Sequence, residues 1–84
     1  MSSKMPSMSS KQLVGFLVNG GAAFARQGRT DHAIYERIVH GVRYAAPVQM
    51  GKKTLDPNYC KRVFRQLKFT NVEIKTVLLG KRKK

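Results

Sequence analysis

Residues 31–47 read DHAIYERIVHGVRYAAP, and the conformation of this stretch decides which fold the chain adopts. Five apolar or small residues recur along it at helical spacing: Ile34, Ile38, Gly41, Val42 and Ala45. Residues three, four, seven or eight positions apart lie on the same face of an α-helix. The stretch therefore predicts an amphipathic helix that turns this face toward the core.

The residues that flank this stretch fit the same helix. Thr30 or Asp31 can cap its N-terminus, because a hydroxyl or carboxylate oxygen accepts hydrogen bonds from the first free N–H groups of a helix. Pro47 cannot continue a helix, so the predicted helix ends near Ala46.

A further helix is predicted after a basic connection. Asp56 followed by Pro57 is typical of a helix start, with a capping acid before a proline at the first helical position. This helix is expected to run to about Phe69. Its predicted buried side consists of Cys60, Val63, Phe64 and Leu67.

The C-terminal segment has its own start and stop signals. Thr70 and Glu73 fit a capping box, and Gly80 is a natural stop for the helix that would follow. Apolar residues also alternate over residues 72–78, so a short strand stays open as the alternative.

The N-terminal segment is also predicted to be helical. Ser9 and Gln12 fit a capping box ahead of an apolar run over residues 13–25. The competing interpretation is a hairpin that turns at Asn19 and Gly20, since Asn-Gly favours tight turns.

Together these elements predict an all-α fold, a small bundle of three to four helices. Residues 1–8 are expected to form a flexible arm, residues 9–80 a single helical domain and residues 81–84 a basic tail. An α+β fold, with a short hairpin or a C-terminal strand, is the alternative.

The charge balance gives the strongest functional signal. Seventeen Lys and Arg face four Asp and Glu, which gives a formal net charge of +13 over 84 residues. Residues 1–46 carry +4 of this charge and residues 47–84 carry +9. Each acid lies at or near a predicted helix start, so most cations have no acidic partner. A small protein with so much uncompensated positive charge is expected to bind a polyanion.

Three groups of cations are the candidate nucleic-acid-binding residues. The first lies on one face of the predicted helix after Asp56, without an acid at helical spacing: Lys61, Arg62, Arg65 and Lys68. The second is the C-terminal run: Lys81, Arg82, Lys83 and Lys84. The third lies in two connections: Arg29, with Arg26 nearby, and Lys52 and Lys53.

No constellation of catalytic or metal-binding residues is evident. His32 and His40 are eight residues apart and lack a third ligand. Cys60 lies on an apolar stripe, which favours a buried, inert thiol. The chain is therefore expected not to be an enzyme, and to use no metal or cofactor.

The leading hypothesis is a non-enzymatic protein that binds the phosphate backbone of nucleic acid. Structured RNA in a ribonucleoprotein particle, such as a ribosome or nucleocapsid, is favoured over DNA. The alternative is a DNA-binding regulator or chromatin protein whose last two helices form a helix-turn-helix-like unit. A peripheral membrane protein ranks third.

The apolar segment between Leu13 and Phe24 is the expected contact with a protein neighbour or with a second copy. It is too short to span a bilayer, because spanning takes about 20 apolar residues. One cysteine fits a reducing compartment, which predicts an intracellular location without resolving cytoplasm, nucleus or organelle.

Overall fold

The computed structural model describes residues 7–29 and 31–79. The order of elements is α1 (Ser10–Asn19), β1 (Ala23–Gln27), β2 (His32–Val39), β3 (Val42–Gln49), α2 (Pro57–Gln66) and α3 (Asn71–Leu78). The three strands form one antiparallel sheet in the order β1-β2-β3. The fold is therefore α+β, and the prediction of an all-α bundle is wrong.

The stretch that predicted the central helix is instead a β-hairpin made of β2 and β3. Val39 pairs with Val42, so the turn has two central residues, His40 and Gly41. Both have positive φ, 52° and 79° respectively. Positive φ at both positions is the mark of a type I′ turn, whose twist matches that of the flanking strands.

The burial of β2 explains why the helical interpretation failed. Its burial alternates, so that Ala33, Tyr35 and Arg37 are buried on the face that packs against the helices. Ile34 and Ile38 belong to the opposite face, and Ile38 is 68% exposed. The buried positions of β2 follow a two-residue period, but the charged Arg37 at one of them concealed this period in the sequence. Ile34 and Ile38 are four residues apart, which resembled the spacing of a helix.

Pro47 was expected to end a helix but lies within β3, paired with Ile34. Because β3 is at the edge of the sheet, its outward N–H groups need no partner in a neighbouring strand. Proline is tolerated in such edge strands.

Each of the three helices begins at its predicted cap. Ser9 and Gln12 form a capping box at α1, Asp56 accepts a hydrogen bond from the N–H of Asn58 at α2, and Thr70 and Glu73 form a capping box at α3. The helical predictions for these starts are confirmed. The hairpin alternative is wrong for residues 13–19, which are helical, but residues 23–25 do belong to a strand, β1. The strand alternative over residues 72–78 is wrong. α2 ends at Gln66, before the predicted Phe69.

The N-terminal apolar segment divides at Gly20, because α1 ends at Asn19 and β1 follows. A Cβ atom on Gly20 would lie 2.2 Å from Cε2 of Phe69, so only glycine lets this turn approach the ring. Leu13 and Leu17 are fully buried, whereas Phe24 is 56% exposed.

The core lies between one face of the sheet and the helices. Its largest fully buried side chains are Phe64, Leu13, Leu17, Leu67, Val48, Val63 and Cys60. No helix in the described ranges is long and apolar enough to cross a membrane.

The starts of α1 and α2 are tied to the same end of β3. The hydroxyl of Ser10 donates to the carbonyl of Gln49 at 2.6 Å. The hydroxyl of Tyr59 accepts from the N–H of Gln49 at 2.9 Å and donates to the carbonyl of Pro47 at 3.2 Å. The starts of both helices are therefore held at this end of the sheet.

The N-terminal residues that are described are anchored to this frame. Met8 forms an isolated β-bridge with Leu55, and both side chains are buried. Residues 1–6, the greater part of the predicted arm, lie outside the described residues, as does the predicted tail.

Two of the four acids differ from their predicted roles. Asp31 lies in the β1–β2 connection, where its carbonyl accepts from the N–H of Met50 at 2.6 Å. Glu36 is in the middle of β2, and its Oε1 lies 3.7 Å from Nε of Arg43. Neither lies near a helix start, because the helix that they were expected to begin is absent from this part of the chain.

Candidate nucleic-acid interface

One side of α2 is lined by cations, as the spacing of the sequence predicted. The α2 face is defined as Lys61, Arg62, Arg65 and Lys68. All four of these residues are exposed. With Asn58 and Gln66 these four residues line an open groove of about 540 Å³. The opposite side of α2 buries Cys60, Val63 and Phe64, so core packing fixes the direction in which the cations point.

Of the residues in the ranges 7–29 and 31–79, those that line this groove include no acid. Asp56, the one acid beside α2 in the sequence, caps the N-terminal end through the N–H of Asn58. An anion that enters the groove therefore meets four cations and no carboxylate among the described lining residues.

Lys68 closes the groove at the C-terminal end of α2. Its φ is 62°, in the left-handed region that favours glycine. The N–H of Lys68 donates to the carbonyl of Arg65 at 2.9 Å, and the N–H of Phe69 donates to that of Phe64 at 3.0 Å. These two bonds form a Schellman motif, in which the left-handed residue is normally glycine.

Arg37 holds this turn against the sheet. Its Nη1 donates to the carbonyls of Leu67 at 3.1 Å and Lys68 at 2.9 Å, and its Nη2 donates to Oε2 of Glu73 at 2.5 Å. The guanidinium also lies 4.0 Å from the ring centroid of Phe69. Only 6% of Arg37 is exposed, so this arginine supports the turn that carries Lys68 and has little surface for a ligand.

Sequence reasoning missed Arg37, because it assigned the residue to a helix. The alternation of Ala33, Tyr35 and Arg37 with the outward residues of β2 could have placed it on the buried side. Nothing in the sequence identified Glu73 as its partner, which lies 36 positions away.

The predicted loop cations gather at the end of the sheet where α1 and α2 begin. His32 pairs with Gln49, which brings the β1–β2 connection beside the segment that leaves β3. The N–H of Lys52 donates to the hydroxyl of Ser10 at 3.0 Å, so that segment also lies against the start of α1. The exposed cations here form the strand-end group: Lys11, Arg29, Lys52 and Lys53.

Lys11 was not predicted as part of a site. Its place in the strand-end group follows from the tertiary hydrogen bonds of its neighbour Ser10 to Gln49 and Lys52, which the sequence does not indicate. Arg26 was predicted with the loops but lies in β1, paired with Ile34. It therefore belongs to the sheet face that points away from the helices. Lys81, Arg82, Lys83 and Lys84 lie outside the described residues.

The two histidines and the cysteine lie apart from the α2 face. Nδ1 of His32 is buried and lies 3.5 Å from Oδ1 of Asp31, which is beyond hydrogen-bond length. Among residues 7–29 and 31–79 it is the one buried side-chain nitrogen or oxygen atom without a hydrogen-bond partner. His40 is exposed in the hairpin turn.

Cys60 is fully buried, and that burial, with a smaller contribution from the carboxylate of Asp56, raises the pKa of its thiol. The described residues contain no group of three or more His, Cys, Asp or Glu side chains that could hold a metal ion.

Family models, curated proteins and solved structures gave no match to this chain. The charge and shape of the α2 face are therefore the main indication of what this protein binds.

Proposed function

We propose that this protein binds nucleic acid through its phosphate groups, and that its ligand is structured RNA within a ribonucleoprotein particle. The observation that carries the proposal is the α2 face: four exposed cations along one groove, with no acid lining it. Lys and Arg side chains that neutralise phosphates release bound counterions, and this release provides most of the affinity of non-specific binding.

The strand-end group supports a binding surface larger than one helix. Both it and the first turn of α2 lie at the end of the sheet marked by Gln49. α2 has 10 residues and spans about 15 Å. Exposed cations therefore lie both at this end of the sheet and along α2, which suits a ligand with a repeating backbone charge.

RNA is preferred to DNA because of what α3 presents. A helix-turn-helix protein reads bases from the major groove with side chains such as Arg, Asn or Gln. α3 has only eight residues, and its exposed side chains include Asn71, Val72 and Lys75. Such a helix offers few base-reading groups, whereas recognition by phosphate and shape is the usual mode for structured RNA.

Fluorescence anisotropy with a labelled RNA stem-loop and a DNA duplex of the same sequence tests the proposal. The triple variant Lys61→Gln, Arg65→Gln and Lys68→Gln should bind RNA at least tenfold more weakly at about 50 mM salt, because three phosphate contacts are lost. Its matched control removes three cations elsewhere: Arg26→Gln, Arg43→Gln and Lys75→Gln.

The control separates a site from a general effect of charge. Equal losses in the two triple variants would mean that net charge alone drives binding, and the site assignment would be wrong. No binding of wild-type protein to RNA in dilute salt would end the proposal. Tighter binding to one duplex DNA sequence would favour the regulator, and RNA-resistant binding to anionic vesicles would favour the membrane alternative.

In this proposal the protein binds RNA and does not cleave it. The labelled RNA recovered from each binding reaction should keep its length on a denaturing gel. Shortened RNA would contradict this part of the proposal. His32→Ala would then be the first variant to compare, because the imidazole of His32 has a buried ring nitrogen without a hydrogen-bond partner.

A further inference from the structure

Lys68 and Tyr44 form a contact between α2 and β3 at the end of the groove. Nζ of Lys68 lies 5.2 Å from the ring centroid of Tyr44, within the range of a cation–π interaction. Tyr44 is partly exposed on β3 and pairs with Arg37 of β2, whose guanidinium also binds the carbonyl of Lys68. Arg37 therefore neighbours both residues, through the carbonyl of Lys68 and through its pairing with Tyr44.

The backbone of Lys68 makes this contact unusual. At φ 62° a side chain with a Cβ atom is disfavoured relative to glycine, and the Schellman motif around it needs no side chain. Strained backbone conformations persist at sites where the side chain has a use. Lys68 lines the groove of the α2 face and places its ammonium group over the ring of Tyr44, which is a use that glycine lacks.

We propose that Lys68 and Tyr44 form a subsite for one unpaired nucleotide, and this inference depends on the proposed RNA-binding function. In the free protein the ammonium group covers the ring of Tyr44. When RNA binds, Lys68 moves to a phosphate, and an unpaired base stacks on the uncovered ring. The ligand class is therefore RNA with a bulged or single-stranded nucleotide beside a helical stem.

The chemistry of the two groups supports this ligand. An aromatic ring provides a stacking platform for any base, and an unstacked base is available only where RNA is unpaired. A lysine ammonium binds phosphate as a point charge on a flexible stem, so it can leave the ring without movement of the backbone.

The test compares two RNA stem-loops that differ only in one bulged nucleotide. Wild-type protein should prefer the bulged RNA by about 5-fold to 150-fold, the range expected for stacking of one base. Tyr44→Phe should keep this preference, because it keeps the ring. Tyr44→Leu should bind the two RNAs equally while its thermal unfolding shows that it remains folded.

Lys68 has a test of its own, in which stability and binding change in opposite directions. Lys68→Gly should raise the melting temperature by a few degrees, since glycine suits this backbone conformation, and yet weaken binding to the bulged RNA about tenfold. Lys68→Arg keeps the charge and should bind as wild type does. Lys68→Asn tolerates positive φ without the charge and should bind as Lys68→Gly does.

The outcomes that overturn the inference differ from those that overturn the proposed function. A wild-type protein that binds both RNAs equally, or a Tyr44→Leu variant that still prefers the bulge, removes the subsite while RNA binding stands. Unchanged binding by Lys68→Gly removes the role of the ammonium group. Absence of salt-dependent RNA binding by the wild type removes the proposed function, and the subsite with it.

Discussion

The guanidinium of Arg37 donates to the carboxylate of Glu73 at 2.5 Å, and this ion pair joins the middle of β2 to the first turn of α3. The side chain of Arg37 is 7% exposed and that of Glu73 is 24% exposed. Glu73 uses its other oxygen to accept from the N–H of Thr70 at 3.0 Å, so one carboxylate completes both a helix cap and a tertiary contact.

Arg37→Met should destabilise the protein by about 3 kcal/mol. The substitution removes a buried cation that bonds three acceptors at once: the carboxylate of Glu73 and the carbonyls of Leu67 and Lys68. Urea unfolding followed by circular dichroism measures the change. Glu73→Gln is the control: glutamine preserves the capping box, and we expect a loss of only about 1 kcal/mol. An Arg37→Met variant within about 0.5 kcal/mol of wild type, the usual effect of a surface substitution, would contradict this role.

Two glycines of the N-terminal segment should respond to alanine in opposite ways. Gly20→Ala places a Cβ atom against the buried Phe69 ring, so we expect a loss of about 1–3 kcal/mol from overpacking. Gly15 lies within α1, and in the described part of the chain no atom beyond its neighbours and its own helix backbone lies within 4 Å of the position of a Cβ. Gly15→Ala should therefore stabilise the protein by about 0.5–1 kcal/mol. Thermal unfolding of the two variants gives the comparison, and a stabilising Gly20→Ala would disprove the close approach of Phe69.

Salt dependence should identify which cations contact phosphate. Each neutralised phosphate contributes about 0.7–0.9 to the slope of log K against log salt concentration. The triple variant of Lys61, Arg65 and Lys68 should therefore lower this slope by about 2–3. Replacing Lys52 and Lys53 with Gln should lower it by about 1–2 if the strand-end group extends the surface. A slope that stays at the wild-type value in both variants would place the phosphate contacts elsewhere.

The stability of the protein should fall at alkaline pH through Cys60. Because burial raises the pKa of its thiol in the folded state, the folded protein holds this proton more tightly than the unfolded chain does. The resulting stabilisation is complete below the unfolded pKa of about 8.5 and is lost as the pH rises through the folded pKa. Urea unfolding between pH 7 and 10 should show this loss in the wild type.

Cys60→Ala isolates the effect, since lysines and tyrosines also titrate in this range and remain in the variant. The difference in unfolding free energy between the two proteins should shrink as the pH rises. The thiol of the wild type should also react slowly with a thiol reagent until urea unfolds the chain. Rapid reaction in the native state would show that Cys60 is accessible.

The helices were predictable to the extent that local signals specify them. Ser9, Asp56 and Thr70 cap the three helices as expected, because a capping bond joins groups only two or three residues apart. The direction of the α2 face was predictable as well, since the buried residues of the same helix fix it. The end of α2 was harder to predict. Glycine is the usual sequence signal for the left-handed residue that ends a helix, and here that residue is Lys68.

The sheet was not predictable by the same means. Residues 32–49 satisfy both a helical and a strand period, and the sequence alone does not say which one is buried. Arg37 favoured the wrong interpretation, because a charged residue is not expected on the buried side of a strand. Its burial is explained only by hydrogen-bond acceptors that lie at least 30 positions away in the chain, on Leu67, Lys68 and Glu73.

By itself, then, the amino-acid sequence determined the charge of this protein, the starts of its helices and the cationic side of α2, because each depends on composition or on neighbours within a few positions. Only the tertiary structure decided that residues 32–49 pair as strands, that Arg37 is buried, and that Lys68 meets Tyr44. Each of these depends on contacts between residues far apart in the chain. For residues 32–49, burial against distant residues decided between the helical and the strand pattern, which both fit the local sequence.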